Sequence, residues 1–104
     1  MIKFPNAHYS QLLIRAFSNL LCEEREKRRI SQLELARKSG LTRQSISLFE
    51  SGLRAPTFFS VFRLAIGFNM PVTRLVALMM NRFEDYERSE KIAAADSKKA
   101  KWRA

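Results

Sequence analysis

Apolar residues recur along most of this chain at helical spacing, and no stretch sustains the alternation of a β-strand. Between Ser10 and Arg28, Leu13, Phe17, Leu20 and Leu21 stand at i, i+4, i+7 and i+8, which places them on one face of a first helix. Its tail, Glu23 to Arg29, is densely charged. Glu23–Lys27 and Glu24–Arg28 have the better i, i+4 orientation, each worth a few tenths of a kcal/mol. Two short patterns follow, over 32–39 with Leu33, Leu35 and Ala36, and over 43–50 with Ile46 and Phe49. A fourth helix is predicted over 58–68, where Phe58, Val61, Phe62, Leu64, Ala65 and Phe68 exceed what one face needs and Phe59 is left on the outer side. A fifth runs from 72 to the low eighties with Val72, Leu75, Val76, Leu78, Met79 and Met80. Arg82 to Ile92, with Phe83 and Tyr86 one turn apart, either extends that helix or adds a sixth. From Ala93 the repeating apolar face ends, so this segment reads as a basic, largely disordered tail. The pattern predicts an all-α protein.

The polar positions punctuate it. Ser31 is a natural N-cap, and Glu34, three residues on, completes a capping box. Gly40 ends the helix it opens, because glycine enters the left-handed C′ conformation without a Cβ penalty. Leu41 plugs the turn, Thr42 caps the next helix and Gly52 closes it. Helix, glycine turn and helix at this spacing is the helix-turn-helix arrangement. Thr57 caps the fourth helix, Pro71 suits the first turn of the fifth, and Gly67 weakens the fourth by up to about 1 kcal/mol relative to alanine.

Composition sharpens the picture in one respect. Lys and Arg number 19 against 10 Asp and Glu, a formal net charge of +9 on 104 residues. That excess is the electrostatic footprint of a polyanion binder, and beside a helix-turn-helix it points to nucleic acid. The length suits one domain. No run approaches the ~20 apolar residues of a membrane span, and the N-terminus lacks a signal pattern, which implies a cytoplasmic protein with no membrane partner. The lone Cys22 sits in an apolar helical stretch and reads as core filler. His8 has no partner cluster, so no metal or other cofactor is expected. With no histidine cluster, no phosphate-cradling glycine loop and no paired carboxylates, the sequence argues against an enzyme.

A helix-turn-helix inserts its second helix in the major groove, where each base pair shows a distinct donor and acceptor pattern. Here the leading residues are Arg43 and Gln44, with Ser47 one turn on. Arginine matches guanine O6 and N7, and glutamine can bond bidentately to adenine.

Ser31-Gln32, Leu35-Ala36, Gly40-Leu41-Thr42, Ile46-Ser47, Glu50 and Gly52, continued by Pro56, Leu64-Ala65, Phe68 and Leu75, resemble the lambda-repressor/Cro-like, or XRE, family of DNA-binding domains over about 21–78. The resemblance implies a compact five-helix domain over 10–81 with its motif at 31–52, preceded by an arm at 1–9 and followed by an extension at 82–104. It puts Arg43 and Gln44 at base-reading positions, with Ser47 and Leu48 on the same side, where Leu48 reaches a thymine methyl. It assigns Gln32, Thr42, Arg54 and Thr57 to the phosphate backbone, and pairs Arg25 with Glu50 to tie the first helix to the third. Asn69 stands where the family has a glycine and tolerates the same left-handed conformation. Leu48 and Ser51 replace residues usually polar or charged, which blurs the preferred DNA sequence.

The implied function is a double-stranded DNA-binding transcriptional regulator, a repressor, acting as a homodimer. Surplus apolar residues Phe59, Val72, Val76, Met79, Met80 and Phe83 are the candidate interface, unless they complete the core. Two other roles fit this fold: an antitoxin that also binds a protein partner through the extension from Phe83 to Trp102, and a protein-interaction module that no longer binds DNA. Arg43, Gln44 and the basic charge argue against the last.

Overall fold

Each helix begins and ends where a side chain or a left-handed residue satisfies its loose backbone groups. The computed structural model describes residues 7–102, with side chains from His8 to Asp96, as α1 (Ala7–Lys27), α2 (Gln32–Ser39), α3 (Arg43–Glu50), α4 (Phe58–Gly67) and α5 (Val72–Trp102). Ser31, Thr42 and Thr57 take extended backbone conformations ahead of α2, α3 and α4, and each hydroxyl accepts the backbone N–H three residues on. At the other end, α1, α2, α3 and α4 close on left-handed residues, Arg29 (φ 54°), Gly40 (φ 74°), Gly52 (φ 75°) and Asn69 (φ 55°). In each case the following N–H, of Ile30, Leu41, Leu53 or Met70, returns to a carbonyl five residues earlier. This is the Schellman closure, used four times.

The core is assembled from Phe17, Leu20 and Leu21 of α1, Leu35 and Ala36 of α2, Ile46 and Phe49 of α3, Val61, Leu64 and Ala65 of α4, Phe68 just after it, and Leu75 of α5. Phe17 meets Phe49 edge to face at 5.8 Å between centroids, a favoured aromatic geometry. Gly67 is the point where α4 touches α2. A Cβ there would lie 3.0 Å from both Leu35 Cδ1 and Ser39 Cβ, so the residue that lowers helix propensity is what permits the close approach.

Several expectations are corrected. The buried face of α1 is Leu12, Ala16, Phe17, Leu20 and Leu21, while Leu13 is exposed. Both α3 and α5 pack on α1, and together they select which of its many apolar residues are covered. Leu33 of α2 is also exposed. Glu23 pairs with Arg82 across the α1–α5 seam rather than with Lys27, which turns to Glu24; Glu24 is buried and holds Arg28. Residues 7–9 of the expected arm belong to α1, whereas Lys3, Phe4 and Pro5 lie outside the described residues.

The expected disordered tail continues α5 to Trp102. Asn19 donates to the Tyr86 hydroxyl at 2.9 Å, Arg15 lies 4.9 Å from the centre of the Tyr86 ring, and His8 meets Glu90. Beyond Glu90 the helix rests on alanine and lysine, strong helix formers that need no apolar face. No single helix among the described residues is long and apolar enough to cross a membrane.

Candidate nucleic-acid interface

Burial of Ile46 and Phe49 fixes the rotation of α3 and thereby decides what its other side presents. Arg43 and Gln44, its first two residues, are exposed, and neither has a hydrogen-bonding or ionic partner among the described residues. Ser47 and Leu48 follow one turn later and are half-buried. The Thr42 hydroxyl is committed to the cap. It accepts the Ser45 N–H at 3.0 Å and donates to Ser45 Oγ at 2.9 Å, so its proton is already used. At this N-terminus the free N–H groups and the helix dipole favour negative charge.

The other end of α3 is anchored. The Arg25 guanidinium grips Glu50 through Nε to Oε2 at 2.9 Å and Nη2 to Oε1 at 2.9 Å, and its Nη1 donates to the Ile30 carbonyl at 2.9 Å. One side chain thus fixes the end of α1, the approach to α2 and the end of α3. The Glu50 bonds raise the Arg25 pKa above its ordinary value, against the opposing effect of burial. Arginine suits this position because its planar fork makes parallel bonds that lysine cannot. Close by, Cys22 is half-buried rather than part of the core and donates to Glu26 at 3.5 Å; burial first, then the Glu26 carboxylate, push its thiol pKa up.

Gln32 is the first residue of α2 and half-buried, next to unsatisfied N–H groups. Arg54 and Thr57 are exposed on the loop that leaves α3; Thr57 caps α4 by accepting the Ser60 N–H at 3.1 Å. Arg37 and Lys38 face solvent on α2. Other arginines have structural jobs that the sequence did not announce. Arg28 covers the Phe68 ring at 4.7 Å, and Arg63 lies over Phe59 at 5.0 Å and against Gly40. Of the candidate interface residues, Val72, Val76 and Met79 pack against the core, Phe83 is half-buried beside Tyr9, and Phe59 and Met80 remain exposed.

A short helix anchored at its C-terminal end, with an arginine and a glutamine free at its N-terminal end and phosphate-compatible donors beside it, defines a DNA-binding protein of the transcriptional regulator class. The chain belongs to the XRE-type helix-turn-helix family, HTH_3, whose profile matches residues 23–75, half of its length. Its structure is similar to that of the restriction-modification controller protein C.AhdI from Aeromonas hydrophila. That likeness has 30% identity and a TM-score of 0.59, and covers 67% of this chain and 99% of C.AhdI. It is also similar in fold to the clp gene regulator ClgR from Corynebacterium glutamicum, at 17% identity and a TM-score of 0.69, over 80% of this chain and 88% of ClgR. No curated protein sequence matches it.

Proposed function

We propose that this protein is a sequence-specific repressor of transcription that reads the major groove with α3 and acts as a homodimer. Arg43 and Gln44 contact base edges, Ser47 and Leu48 extend the reading surface, and Gln32, Arg54 and Thr57 hold the phosphates, while at Thr42, whose hydroxyl proton is spent on Ser45, the free backbone N–H groups that open α3 take that role. The observation that carries this reading is the pairing of an exposed, unpartnered Arg43 and Gln44 with a helix locked at its far end by Arg25 and Glu50. Preorganisation of that kind is what direct readout requires, since a bidentate contact discriminates bases only if its fork is held in register. C.AhdI, described as a controller protein, supports regulation over the antitoxin role.

One helix reads only a few base pairs, so two copies on half-sites about one helical turn apart supply the remaining specificity. Selection of bound duplexes from a random pool tests this directly. The expected outcome is an enriched inverted repeat with half-sites about 10 base pairs apart, centre to centre. Failure to shift any duplex at low salt would overturn DNA binding altogether.

A further inference from the structure

α4 is apolar on every side. Val61, Leu64 and Ala65 face the core, while Phe58, Phe59, Phe62 and Ile66 face away and are 76, 61, 45 and 50% exposed. Its only polar residues are Ser60, engaged with the Thr57 cap, and Arg63, folded back over Phe59. A helix hydrophobic all round belongs in an interior, yet apart from Arg63 over Phe59 this ridge stays open to solvent. Beside it runs a cleft of about 330 Å³ walled by Leu13, Ile14, Pro56, Val61, Val76 and Met79, with Phe58 at its edge. Among the described residues, no charged one lines it.

We propose that ridge and cleft are the two halves of a two-fold interface, each occupied by the other half from a second copy of this chain. The inference rests on reading the protein as a paired DNA reader, and it names the surface that does the pairing. Three observations select a second copy as the occupant. A two-fold contact requires one patch to be complementary to itself, and here knob and hole lie side by side, so each Phe ridge can enter the opposite cleft reciprocally. The sizes agree: a cavity of about 150 Å³ accepts a benzene ring, and this cleft has about twice that room. The charge agrees as well. Two chains of net charge +9 repel, and they can meet only across a face that carries almost none of it.

The area is also sufficient. With about 200 Å² per large apolar side chain, the four exposed ridge residues offer roughly 450 Å² per copy. Both copies together then supply roughly 900 Å², more than half of a standard interface of about 1,600 Å², before the cleft walls are counted. No residue of α3 lines the cleft, whose border with the loop proposed to face DNA is Thr57.

Sedimentation equilibrium of the full chain from low to high micromolar concentration tests the proposal. Wild type is expected to dimerise. Phe62→Asp on the ridge and Leu13→Trp on the cleft wall are expected to dissociate at least about thirtyfold more readily. Both positions are exposed, and helical circular dichroism with an unchanged melting temperature verifies that the variants fold. Ile92→Asp, at an exposed apolar residue far along α5, is expected to leave the dimer intact.

A wild-type monomer at high micromolar concentration overturns the proposal. So does a folded Phe62→Asp as dimeric as wild type, or dissociation caused by Ile92→Asp. Titration on single and paired half-sites separates this from the DNA reading. Monomeric Phe62→Asp should bind a single half-site as wild type does and lose affinity only for the pair. Loss of all duplex binding in wild type while the dimer persists would sink the DNA reading and leave the interface standing.

Discussion

Replacing Arg25 with methionine removes the clamp on α3 while keeping most of the side-chain volume. The structure sets the size of the effect. The Glu50 side chain is 7% exposed and that of Arg25 18%, so the substitution strands a nearly buried carboxylate and leaves the Ile30 carbonyl without its donor. Removing one partner of such a pair costs about 3–5 kcal/mol in a fully buried setting. Residual solvent access around Arg25 lowers the expectation to about 3 kcal/mol. At roughly 4 °C or more per kcal/mol for a domain of this size, the melting temperature should fall by about 12 °C. The double variant Arg25→Met/Glu50→Leu removes both charges and should recover most of the loss, giving a coupling of at least about 2 kcal/mol in the double-mutant cycle. Urea unfolding at neutral pH, followed by far-UV circular dichroism, supplies all four corners. A loss below about 1 kcal/mol for Arg25→Met, or losses that simply add, would mean that the pair behaves as a solvated surface contact and that α3 is held by its apolar face alone.

Gly67→Ala should lower stability by about 1 kcal/mol, although alanine is the better helix former. The new methyl would press on fully buried Leu35 and Ser39, and overpacking of this kind costs about 1–3 kcal/mol; a raised melting temperature would refute the packing argument. In DNA titrations at two salt concentrations, Arg54→Ala should weaken binding to an operator and to a scrambled duplex alike and reduce the salt slope by about 1, while Gln44→Ala should cost about 1–3 kcal/mol on the operator alone. Equal losses from both replacements would contradict that division. The Glu24 carboxyl is raised by burial but lowered more strongly by the bond from Arg28 and the charges of Lys27 and Arg28, so its net shift is downward from an ordinary value of 4.5. A depressed carboxyl pKa adds stability above the unfolded value and loses it as the pH falls through the folded one. Glu24→Gln should therefore be less stable than wild type near neutrality, with the gap closing below about pH 4.5; a gap independent of pH would remove the ionised group from the explanation.

The two motif helices were legible to the residue, because their limits are written locally in Ser31, Gly40 and Thr42. Asn69 is placed in a left-handed turn by the family resemblance, together with asparagine's tolerance of that conformation. What escaped the sequence depends on neighbours distant along the chain. Leu12, Leu13, Ile14, Ala16 and Phe17 are apolar nearly all round α1, and only the arrival of α3 and α5 decides that Leu13 stays out. Glu23 had a helical partner at the right spacing in Lys27 and took Arg82 instead. Gly67 looked like a weakness because propensity is a property of one helix, whereas close approach is a property of two. The length of α5 was missed for the opposite reason: its last turns have no apolar face to read, only alanine and lysine.

That long last helix also governs how the molecule behaves in flow. Thirty-one residues of α-helix measure about 46 Å, and they stretch the particle to 56 Å along its longest axis, with a radius of gyration of 16.4 Å where a sphere-like chain of this length would have about 13 Å. Friction grows with such elongation, so a single chain will emerge early from a sizing column and mimic a heavier species. Stoichiometry in this protein must come from methods that weigh particles rather than measure their drag.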